Sequence, residues 1–231
     1  MNARPPLAAL TITGLLLLTG CGGAGTSSSA TQRTPASTTS TTAPGPASSA
    51  TSAAPAPAAI GFEGVPLEQG PALAPAGTTQ IKTVDRIRCG ASEQLAYHIH
   101  AHLAVYARGA LRSLPGGVGI PRSVPQQTPE GPVAAGGDCI YYLHTHTPDG
   151  VIHIESPVKR SYTLGEFFDE WHQPLSPTRV GTVGGSVTAL LDGRRFTGNP
   201  RSIPLASHGV IQLDVGSPAP PQPVSWAQTQ L

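Results

Sequence analysis

The chain of 231 residues has a single methionine, Met1, and only three cysteines. A thioether site for Cu(I) is therefore excluded, because such a site needs methionine sulfur and the only methionine lies at the start of a run that reads as a removed export signal. Charge is equally sparse. Asp, Glu, Lys and Arg make up 12% of the residues and the net charge is +1, so no basic surface argues for nucleic acid. Beyond the first twenty residues no apolar run is long enough to suggest a second hydrophobic span. A zincin helix motif, a Gly-x-Ser-x-Gly elbow and a nucleotide loop are also missing, so an enzyme built on any of them is excluded.

What is present begins with an uneven chain. Residues 1–20 carry Arg4 and then an uncharged apolar run from Leu7 to Leu18. That run is short for a membrane span and reads as an export signal. Its end, "LTGC" at residues 18–21, resembles the bacterial lipobox, in which small residues precede a cysteine that becomes the lipidated N-terminus. The resemblance implies acyl chains (palmitate among them) on Cys21 and a membrane as partner, each buried methylene contributing about 0.8 kcal/mol. Residues 22–59 are almost entirely Ser, Thr, Ala, Pro and Gly. Such a segment cannot bury enough apolar surface to offset its ordering entropy, so residues 21–59 form the lipidated cysteine and a disordered tether. Residues 60–84 are a mixed approach segment and residues 217–231 a proline-rich tail. Residues 85–216 remain as one domain, enough for a single small core.

With Cys21 taken by lipid, Cys89 and Cys139 are left over in an exported domain, where such pairs usually form a disulfide. The bridge would close a loop of 50 residues and stabilise by about 4 kcal/mol in the chain-entropy model. The rival expectation is a pair of thiolate ligands.

Histidine carries the chemistry. In "YHIHAHLAVY", residues 97–106, His98, His100 and His102 occupy every second position. A strand has a side-chain period of two, so all three leave one face while Ile99, Ala101, Leu103 and Val105 leave the other. A second group lies in "CIYYLHTHTPDGVIHIESP", residues 139–157, two alternating strands around a turn. Register decides whether its histidines meet. A three-residue loop would put His144 and His146 on the face of Ile152 and Ile154. A four-residue loop, Thr147 to Gly150, instead aligns Leu143 with the isoleucines and sets His144 opposite His153 and Tyr142 opposite Glu155. Burial favours the second, because a slip of one residue turns every side chain over. Pro148 and Gly150 suit such a loop. His98, His100, His102, His144, His146, His153 and Glu155 are thus the candidate metal ligands, imidazole and carboxylate suiting Cu(II) or Zn(II).

The remaining segments complete a mainly β (α+β) domain of six or seven antiparallel strands with one short helix. "YTLGEFFDEWHQP", residues 162–174, has a capping-box pair in Thr163 and Glu166 and an apolar stripe of Leu164, Phe167, Phe168 and Trp171. "VTALLDGRRF", residues 187–196, reads as a hairpin over Asp-Gly, and "GVIQLDVG", residues 209–216, as a final strand. A further arm, Ala107 to Leu114, turns at Arg108-Gly109. His208, just before the final strand, is taken as a turn residue.

The three blocks "HIHAHLAVY", "LHTHTPDGVIHIESP" and "YTLGEFFDEW" resemble those of a family of exported bacterial and archaeal proteins. The resemblance implies a compact extracytoplasmic domain and brings neither activity nor ligand. The residues themselves point to a lipid-anchored protein that sequesters, buffers or delivers a transition metal. An alternative is a metalloenzyme with Glu155 as general base on a bound water. A third is an interaction module whose histidines form a hydrogen-bonded seam without metal.

Overall fold

The structure, a computed structural model, describes residues 58–77, 81–229 and 231. The signal-like run, Cys21 and the tether through residue 57 lie outside the described residues.

The domain is organised around one seven-stranded sheet whose centre is the strand Tyr97–Ala107. On one side it pairs antiparallel with Val151–Ser156, which in turn pairs with Leu143–His144. The short strand Ala110–Arg112 folds back beside the far end of the central strand. On the other side stand Val210–Val215, Val187–Leu191 and Arg194–Phe196, in that order. The sheet is mixed rather than wholly antiparallel, because Val210–Val215 runs parallel to the central strand. Parallel neighbours need a long crossover, and the hundred or so residues from Ala107 to Val210 supply one. Alternation in the sequence carries no sign of strand direction, so this pairing could not be read from it.

Two turns follow directly from their residues. Asp192 and Gly193 both have positive φ (50° and 72°), as do Arg108 and Gly109 (53° and 80°). Positive φ at both central positions is the type I′ geometry that suits the twist of a hairpin. The helix Leu164–Glu170 starts at Thr163, whose side chain accepts from the Glu166 N–H while Glu166 accepts from the Thr163 N–H. It is shorter than the apolar stripe suggests, since Trp171 already serves as its C-cap and His172 adopts positive φ.

Alternation along the central strand builds the core on one face only. Ala101, Leu103 and Val105 pack with Ile152, Ile154, Leu143, Ile211 and Leu213, and the helix lays Leu164, Phe167, Phe168 and Trp171 onto them. The approach segment adds Leu73 and Ala74 to this core. The C-terminal tail also lies on the domain: Gln212 donates to the Ala219 carbonyl, and Trp226 stacks on His208 at 4.8 Å. Cys89 and Cys139 form a disulfide that ties the chain before the central strand to the start of the second motif.

Candidate metal centre

The histidines collect on the sheet face opposite the helix, because core packing fixes the register. Ile99 pairs with Ile154, so His98 falls opposite Glu155 and His100 opposite His153. Leu143 pairs with Ile154 on the other edge, which sets His144 opposite His153. This is the register of the four-residue loop, although the ladder itself stops at His144. Thr145 leaves it to exchange backbone hydrogen bonds with Gly117 and Val118, and the His146 carbonyl accepts from Ala134. His146 therefore sits on a loop beside the sheet. Gly150 closes the return with φ 84°, where an added Cβ would come within 2.5 Å of the His102 ring. No other residue fits that turn.

Three strands thus bring their donor atoms together. His98 Nε2 lies 3.0 Å from His100 Nε2 and 3.1 Å from Glu155 Oε1, and His153 Nδ1 lies 3.1 Å from the same oxygen. Two nitrogens bound tetrahedrally to one zinc stand about 3.3 Å apart, so these spacings match donors sharing an ion. His98, His100, His153 and Glu155 each offer an atom within 4.8 Å of the others, and this group could hold a metal ion. His144, His146 and His153 form a second such group, and Glu93, His144 and Glu155 a third. His102 stands apart from all three, with its Nε2 2.9 Å from the Asp149 carbonyl. His208 is bound to the central strand through its N–H to the His100 carbonyl.

The surroundings hold several rings in the state a metal needs. His100 is buried, and burial, helped by the imidazoles of His153 and His98, pushes its pKa down to about 3. His144 has no exposed surface, and burial drives its pKa well below the usual range, with His153 and His146 adding to the effect. His153 goes the other way. Burial opposes its charge, but hydrogen bonds to Glu155 and Glu63 outweigh burial and lift it to about 9. Those two carboxylates hold opposite ends of the ring, Glu155 at Nδ1 and Glu63 Oε1 at Nε2, 2.9 Å away. A metal that replaced the proton facing Glu155 would leave Nε2–H on Glu63. A histidine ligand commonly has such a carboxylate behind it, which fixes its tautomer and orientation. His144 and His146 are oriented in the same manner, by Nδ1–H donation to the carbonyls of Tyr141 (2.9 Å) and Ala134 (2.8 Å).

Glu63 and Glu93 were not visible as site residues in the sequence. Glu63 lies in the approach segment, outside any alternating run. Its one signal is that it is the first acidic residue of the chain. Glu93 sits on the loop before the central strand, its Oε1 3.4 Å from His146 Nε2. No known family, curated protein or solved structure matches this chain.

Proposed function

We propose that the protein is a cell-envelope lipoprotein that binds a divalent transition metal, Cu(II) or Zn(II), through His98, His100, His153 and Glu155. Sequestering, buffering or passing on that metal outside the cytoplasm is the corresponding role. The observation that carries the reading is the convergence of these four donors within 4.8 Å. Three imidazoles and a carboxylate suit both ions, and the disulfide leaves neither Cys89 nor Cys139 as a thiolate ligand. Affinity order alone favours Cu(II). When bound, the ion would supply charge to a face otherwise lined by imidazole lone pairs. Glu63 would hold the His153 ring in place.

The position of Glu155 supports binding over catalysis. Its Oε1 lies within 3.1 Å of two imidazole nitrogens, in the ring of donors, whereas a general base must stand off the metal to reach a bound water. The lipid anchor at Cys21 and the extracytoplasmic location follow from the lipobox-like stretch, and a disulfide suits an oxidising compartment.

Elemental analysis of protein purified from its native membrane without an affinity tag tests the metal, and fractionation of Cys21→Ala tests the anchor. Copper or zinc near stoichiometry, and release of the variant from the membrane fraction, are the expected results. Metal-free protein that takes up neither ion on dialysis would overturn the metal reading, and a variant still in the membrane fraction the anchor.

A further inference from the structure

The donors of the first site do not exhaust the histidine face. His144 and His146 lie beside it with Nε2 atoms 3.2 Å apart. Both rings give their Nδ1–H to backbone carbonyls, so both Nε2 atoms carry lone pairs, and these confront each other. Two lone pairs at that distance repel unless a positive charge sits with them. A metal ion can supply that charge, and the spacing again matches two nitrogens on one tetrahedral ion, about 3.3 Å.

Oxygen donors are at hand on two sides. Glu93 Oε1 lies 3.4 Å from His146 Nε2, at the rim. Glu155 Oε1 lies 3.9 Å from His144 Nε2. Glu155 is the informative one, because the same Oε1 also faces His98 and His153 at 3.1 Å each, so one carboxylate oxygen lies between the two groups of imidazoles.

We infer that the protein holds a second divalent transition-metal ion, on His144, His146 and Glu93, with Glu155 bridging it to the first ion through Oε1, the carboxylate oxygen that faces both groups. The inference rests on the metal-binding reading above and adds a second site to it. Carboxylate-bridged ions of this kind stand about 3.5–4 Å apart. The His153 ring lies next to both sets of imidazoles, 4.6 Å from the His100 ring and 4.5 Å from the His146 ring between centroids.

The test uses the untagged full-length chain, stripped of metal and then loaded with Cu²⁺ in one arm and Zn²⁺ in the other. Bound metal is counted per chain, and the copper form is examined by electron paramagnetic resonance. The expected count is two ions per chain. Exchange through the bridge should leave a spin count well below the copper count. His146→Ala, on a loop and partly exposed, should drop the count to one and restore a full, uncoupled copper signal. Single-ion binding by the parent would overturn the paired centre while leaving the first site standing. Two ions with a full spin count would overturn the bridge through Glu155. Binding of neither ion would overturn the metal reading itself and the second site with it. The parent's count and spectrum need no variant, so poor folding of His146→Ala would not blunt the test.

Discussion

Neighbouring residues of the central strand have opposite tasks, because consecutive side chains leave opposite faces of the sheet. His100 and Leu103 are both buried, one among imidazoles and carboxylates, the other in the apolar core. Leu103→Ala should therefore cost about 2–5 kcal/mol of stability through the cavity it leaves, without changing the metal bound per folded chain. Denaturant melts and metal counts on the same sample check both halves. Glu68 allows a prediction away from the metal donors. Burial pushes its carboxyl up to about 8, against the Leu114 N–H that it accepts, with Asp149 adding to the rise. Tyr106 also feels its charge. A carboxyl raised above its ordinary 4.5 contributes stability that is fully present below that pH and lost as pH rises through about 8. Metal-free protein should thus lose stability between those limits. Glu68→Gln should melt higher than the parent at the alkaline end, and equal melting there would refute the account.

At the level of elements, the strand pattern was legible wherever one face met the core. His144 opposite His153 could be read from the sequence because the alternative register would have set His144 among Ile152 and Ile154 and turned Leu143 away from them. The Asp192-Gly193 turn and the Thr163–Glu166 cap were legible for local reasons, since turn and cap chemistry need only neighbouring residues. What alternation could not reveal was where an element stops. His146 continues the pattern of His144 but leaves the ladder, because Thr145 finds backbone partners in Gly117 and Val118, distant in sequence. His102 shares a face with His98 and His100 yet lies two residues farther along, where the partner strand ends at Val151 and its ring turns to the Asp149 carbonyl. Thr163→Ala should cost about 1 kcal/mol, since the Glu166 N–H loses its cap acceptor. A thermal melt unchanged within error would show that the helix is held by its apolar stripe alone.

For the molecule as a whole, the boundary of the domain was harder to read than its centre. The prolines and mixed composition of the approach segment show no period, so nothing in its sequence ties it to the core. Yet Val65 and Leu73 are buried, and Glu63 reaches His153 across 90 positions of sequence. Contacts of that span leave no local trace. A chain starting at Pro57 should melt with the full mature protein, because the tether before it has the composition of a segment without core side chains. A chain starting at Pro75 should be less stable and should bind metal more weakly, because it loses Leu73 from the core and Glu63 from behind His153. Comparable melts and affinities for all three would contradict the role given to the segment.

Whether the histidine face binds metal is decided by calorimetric titration of the metal-free protein with Cu²⁺ and Zn²⁺ at neutral pH, with His100→Ala titrated alongside. Binding tighter than micromolar is expected for the parent and a steep loss for His100→Ala, with Leu103→Ala binding as the parent does. Binding weaker than micromolar for both ions, or a His100→Ala variant that binds like the parent, would mean that these imidazoles and carboxylates grip only one another.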